Sequence, residues 1–127
     1  MLNKAVRVIA GLFGLMLFVM GLRWLVDPAG AAVGIGMPVL DGLARSSQIG
    51  DLGAFFIVAG GFALLGAITR NAALLVAPAA LVGVAALFRL LAWLVQDAAL
   101  AADFIVFELV MCAVFLFARH RLAAAGE

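Results

Sequence analysis

The chain has 127 residues, of which 69% are hydrophobic and 12% charged, with a formal net charge of +1. Soluble domains average about 45–50% apolar and about 25% charged residues, so a soluble fold this small could not cover its core, and the surplus apolar surface has to face lipid. The length suits one domain, residues 1–127, and the near-neutral balance gives no electrostatic footprint for a nucleic-acid partner.

The same counts exclude several chemistries. There is one histidine, His120, one cysteine, Cys112, and no tyrosine. A bis-histidine haem, a di-iron carboxylate–histidine centre and a histidine–cysteine zinc site all need ligands missing here. A lone thiol makes neither an intrachain disulfide nor a CxxC redox pair. No P-loop, GxSxG elbow or HExxH occurs. The expectation is a protein without a metal or cofactor.

The first apolar stretch covers residues 5–26, long enough to cross a bilayer. Lys4, Arg7 and the later Ala29-Gly30-Ala31 imitate a secretory signal with its cleavage site. The apolar run is long for such a signal, however, and Arg23-Trp24 reads as an interfacial helix end, so a retained anchor is expected. Gly14, Phe18 and Gly21 form one stripe of this span, a pattern that lets helices approach closely.

The connection over residues 27–49 holds Pro28, Pro38 and Ser46-Ser47, with an apolar middle from Ala31 to Leu40. So apolar a loop is poorly solvated, which favours an ordered interfacial or re-entrant segment over a disordered linker. The second span covers residues 50–69 and carries Ala59, Ala63 and Ala67 at four-residue spacing. Arg70-Asn71 makes a tight turn into the third span, residues 72–95, where Ala79 and Gly83 repeat the small-residue spacing. Pro78, placed inside that span, predicts a kink. A short turn leads to the fourth span, residues 101–118.

Apolar backbone in lipid must satisfy its own hydrogen bonds, so the expected fold class is all-α, an integral membrane four-helix bundle. Lys4, Arg7, Arg70, Arg119 and Arg121 fall on one side of four spans, which predicts an inner-membrane, multi-pass protein with both termini cytoplasmic. The strings Leu22-Arg23-Trp24-Leu25-Val26-Asp27 and Leu91-Ala92-Trp93-Leu94-Val95-Gln96-Asp97 suggest two helical hairpins related as a parallel repeat. Chance similarity between apolar helices explains the strings equally well.

Charges inside the spans are the main functional signal. Arg89 and Glu108 would each cost roughly 2.5–3.5 kcal/mol at the membrane centre. The short turn between their spans puts them at similar depth, which predicts an Arg89–Glu108 ion pair. Trp93 and Gln96 share the Arg89 face, while Arg23, Arg45 and Asp51 fall at the same outer level. Arg23, Arg45, Asp51, Arg89, Trp93, Gln96 and Glu108 are therefore the candidate ligand-binding residues. Structural glue between helices and a pocket for a lipid-like or anionic small ligand both account for this cluster.

Arg45-Ser46, Gly50-Asp51, Gly60-Gly61, Arg70, Gly83, Arg89 and Glu108, over four spans, resemble the DoxX-like superfamily of small bacterial membrane proteins, and more narrowly a branch of unknown function. The resemblance runs from about Arg45 onward and its motifs are of low specificity. It implies a possible accessory role in a membrane redox complex that passes electrons to quinone, and maps no catalytic residue onto this chain.

The expected function is a small inner-membrane subunit or binding protein with a buried charged site on its periplasmic half. Its partners would be the bilayer, a small ligand, and a membrane protein or a second copy of the chain. The alternative is a small membrane enzyme acting on a lipophilic quinone, terpenoid or lipid. In that reading Glu108 is the acid–base group, Arg89 or Arg45 the electrostatic stabiliser, and Asp51 a second carboxylate.

Overall fold

A computed structural model describes residues 1–126, and the regular structure among them is helical, with no strand. Helix α1 spans Leu2–Val26, a short α2 spans Pro28–Gly34, and α3 spans Gly42–Thr69. A 3-10 turn, Ala72–Leu75, leads into α4, Val76–Val95, and α5 spans Ala102–Ala125. Three helical segments, Leu2–Val26, Gly42–Thr69 and Ala72–Val95, are long and apolar enough to cross a membrane. α5 has 24 residues but carries Asp103, Glu108, Arg119 and Arg121.

The core is narrow, and large apolar side chains such as Leu12, Leu65, Phe88 and Phe117 stand exposed on the outer faces. Such faces are costly in water at about 25 cal/mol per Å² of apolar area and fit contact with a lipid bilayer. α1 packs chiefly on α3, and α4 chiefly on α5. The two pairs close in different ways.

The α1–α3 contact is made by backbone. A Cβ on Gly14 would stand 2.7 Å from the amide nitrogen of Leu64, and one on Gly21 would stand 2.9 Å from that of Ile57. Gly60 faces the Phe18 backbone in the same way. Ala59 and Ala63 are fully buried beside them. The small-residue stripes of both spans thus meet each other.

Several expectations change. α3 starts at Gly42, eight residues before the predicted start of the second span, so much of the predicted connection is helix. Arg45 and Ser46 belong to that helix. The rest of the connection is ordered as α2 and a turn, with Asp27 capping α2 by accepting from the Gly30 N–H at 3.1 Å. Pro78 is the third residue of α4, in the first turn, where no intrahelical N–H is required of it. Trp24, expected at an interface, is 1% exposed and points into the core.

The first and last helices meet at one end, where Arg121 Nε donates to Asn3 Oδ1 at 2.6 Å. The turn between α4 and α5 lies at the opposite end, and Asp97 there adopts a left-handed φ of 54°.

Candidate functional site

Arg89 lies six residues before the end of α4 and Glu108 six residues after the start of α5, each about 9 Å along its helix. Antiparallel neighbours joined by a short turn bring such positions level. Arg89 Nε donates to Glu108 Oε1 at 2.8 Å, and the guanidinium stands over the Phe104 ring, 4.7 Å from its centroid. Phe104 is four residues before Glu108, so one face of α5 supplies both the carboxylate and the aromatic surface.

Burial of the pair is uneven. The Glu108 side chain is 11% exposed and that of Arg89 33%. Oε2 of Glu108 is buried and has no hydrogen-bond partner among the described residues. An ionised oxygen left so is expensive, and a donor brought to it would recover much of that cost.

Beside the pair lies a cavity of about 410 Å³, within the range of about 300–1,000 Å³ usual for small-molecule sites. Its walls come from all five α-helices or their immediate flanks. Met16, Leu17 and Met20 face it from α1, Leu52, Phe55 and Phe56 from α3, and Val82 and Ala85 from α4. Phe104, Phe107 and Met111 complete it on α5, and Gly34 with Ile35, at the end of α2, forms one rim. Arg89 and Glu108 are the only charged residues in this lining. The chamber is apolar and aromatic with one polar corner, the general plan of a site that binds a mostly apolar molecule by one functional group.

The other sequence candidates do not reach this cavity. Arg23 pairs with Asp27 at 3.1 Å. Arg45 pairs with Asp41 at 3.0 Å and donates from Nε to the Leu40 carbonyl at 2.6 Å. Both pairs are local, exposed and four residues apart. The N–H of Gly30 first, and then Arg23, hold the Asp27 carboxyl below its ordinary value of 3.8. Asp51 is exposed, as are Trp93 and Gln96 beyond Arg89. The alternating-sign cluster expected at this level is therefore one buried pair and two local surface pairs.

Sequence reasoning missed two things. One is the aromatic and methionine lining, whose residues look no different in sequence from lipid-facing ones. The other is Gln48, which is 6% exposed. It accepts from the Leu40 N–H and donates to the Pro38 carbonyl, both at 2.9 Å. It pins the connection to α3 and so helps hold the segment that carries the Gly34–Ile35 rim. A glutamine on the buried face of an early-starting helix was the available signal.

Cys112, one turn beyond Glu108 on α5, packs on Gly83, where an added Cβ would stand 3.1 Å from its Sγ. The Ala79–Gly83 stripe is thus the seat of α5 on α4.

Compared with known proteins, the chain matches no family model, no curated protein and no solved structure.

Proposed function

We propose that this is a small four-span membrane protein, DoxX-like in plan, that binds a lipophilic molecule in the cavity beside Arg89 and Glu108. α5 is the fourth span, and both termini are cytoplasmic in an inner membrane, which leaves the Arg89–Glu108 site in the periplasmic half. The basic end formed by Lys4, Arg7 and Arg70 supports that orientation. Pairing of α1 with α3 and of α4 with α5 supports two hairpins of like orientation. The different settings of Trp24 and Trp93 limit any repeat to topology.

The observation that carries the ligand reading is the unpaired, buried Glu108 Oε2 on a residue that lines an apolar cavity. Such a site suits a neutral molecule with a hydrogen-bond donor, such as an alcohol or phenol, better than an anion. A second negative charge would meet a carboxylate whose cation is already engaged. Binding alone suffices for an accessory subunit of a larger membrane complex, including a redox complex. Because the cavity reaches Glu108, the same geometry also supports the enzyme reading, in which Glu108 exchanges a proton with the bound donor.

The test is mass spectrometry of small molecules extracted from protein purified in mild detergent. The parent should carry a lipophilic compound, and Ala85→Phe, which fills the cavity, should lose it while keeping its helicity. If the parent carries nothing, or the filled variant carries as much, the pair is helix glue. Turnover of the extracted compound by the parent but not by Glu108→Gln would favour the enzyme.

A further inference from the structure

The far end of the molecule holds a second concavity that the Arg89–Glu108 site does not use. The first turns of α1, Arg70 at the end of α3 and the last turns of α5 converge there. They border about 440 Å³ lined by Met1, Asn3, Lys4, Arg7, Arg70, Leu122 and Ala125. Three of these are cations, and among the described residues no carboxylate lines the concavity. The ion pairs of the described residues all lie elsewhere.

Helix stability does not account for this gathering. α1 has no acidic residue in its first turn and no side-chain cap at Met1, so Lys4 stands where the helix dipole disfavours a cation. The mutual repulsion of Lys4, Arg7 and Arg70 falls when an anion sits between them. Arg121 Nε holds Asn3 by Oδ1 and so braces one wall, leaving the Asn3 amide hydrogens free to donate. Preference for cytoplasmic positive charge explains basic residues at this end but not their convergence. Arg119 and His120, at the same end of α5, are exposed and outside the concavity.

A second observation tells what kind of anion fits. Arg7 also lines a groove of about 310 Å³ that continues up the α1–α3 seam over Val8, Gly11, Ala67 and Ile68. A cationic cup that opens through one shared arginine onto an apolar groove matches a phosphate joined to a hydrocarbon chain. We infer that this end binds an anionic phospholipid, its phosphate among Lys4, Arg7 and Arg70 and an acyl chain along the α1–α3 groove. This rests on the membrane reading but not on the Arg89–Glu108 site. Free phosphate shares the headgroup chemistry without the chain.

The full-length protein in mixed phosphatidylcholine and phosphatidylglycerol nanodiscs or micelles, read by native mass spectrometry, tests it. Phosphatidylglycerol should be retained over phosphatidylcholine. Arg7→Gln and Arg70→Gln should each weaken its retention about fivefold, the effect of about one surface cation, and Arg7→Lys should restore most of it. Arg119→Gln, at the same end but outside the cup, should leave it unchanged. Circular dichroism and melting in phosphatidylcholine alone should match the parent for every variant used.

Three results would overturn the inference. One is equal retention of the two lipids. Another is a loss in Arg119→Gln as large as in Arg7→Gln, which would mean diffuse surface charge. The third is displacement of phosphatidylglycerol by millimolar inorganic phosphate, which would make free phosphate the ligand. Ala85→Phe should keep this lipid while losing the cavity ligand, so failure at one site is told apart from failure at the other.

Discussion

The α1–α3 and α4–α5 contacts solve one problem in opposite ways. α1 and α3 touch backbone to backbone through Gly14, Gly21 and Gly60, and no ion pair joins them among the described residues. α4 and α5 close over Gly83 and Cys112 at one level and over an ion pair at another, and beside that pair a chamber stays open. In lipid the hydrophobic effect does not drive helices together, so dispersion contact and polar bonds must. Where small residues allow full contact, backbone packing alone closes the seam. At the level of Arg89 and Glu108 a charge pair joins α4 to α5, and a chamber lined by the surrounding helices lies beside it.

The comparison breaks most severely at Gly60. Gly60→Leu pushes a side chain into the Phe18 backbone, and the expected loss lies at or beyond the top of the roughly 1–3 kcal/mol range for overpacking. Melting of the purified protein should drop sharply or the variant should not accumulate. A parent-like melting curve would mean that α1 and α3 are not in backbone contact.

The charge pair comes next. Arg89→Met should destabilise by about 3 kcal/mol, because it leaves a buried carboxylate without its cation. Glu108→Gln should cost less, since Arg89 is 33% exposed at the side chain and keeps access to polar surroundings. The double variant should recover part of the loss, and a double-mutant cycle on unfolding free energy measures the coupling. Strict additivity would deny that the two side chains act as a pair.

Smaller still is Gly83→Ala, in which the new methyl sits 3.1 Å from Cys112 Sγ. A cost of about 1 kcal/mol is expected, and Cys112→Ala in the same chain should relieve it. Relief absent from the double variant would place the strain elsewhere.

The smallest effect is at Asp27, outside the helical pairs. Its carboxyl is held below its ordinary value of 3.8 by Gly30 and Arg23, so the folded chain binds this proton less readily than the unfolded one. The stabilisation is present above that ordinary value and fades as pH falls through the depressed one. A carbon-13 titration of the Asp27 carboxyl should show a midpoint below 3.8, and Arg23→Gln should move it upward. Because the group is exposed, stability of the whole protein should scarcely change.

Much of the molecule was legible along the chain. The apolar stretches, their helical state and the small-residue seams follow from composition and spacing, because lipid admits few other backbone conformations. The level meeting of Arg89 and Glu108 followed from equal distances to a short turn. What misled was grouping by depth alone. Arg23 and Arg45 each have an acid four residues away, in Asp27 and Asp41, and a local helical partner is reached before a distant one. That spacing was present in the sequence and outweighs shared level.

The sequence by itself determined that the chain is helical, that it is too apolar for water, and which two charges lie deep in it. Tertiary structure decided what surrounds those charges. In a membrane protein, lipid-facing and cavity-facing positions draw on the same apolar residues, so periodicity does not separate them as it separates core from surface in water. Only the packed helices reveal that Met16, Phe55, Phe104 and Phe107 turn toward one chamber, and that Lys4, Arg7 and Arg70, far apart in the chain, share one cup.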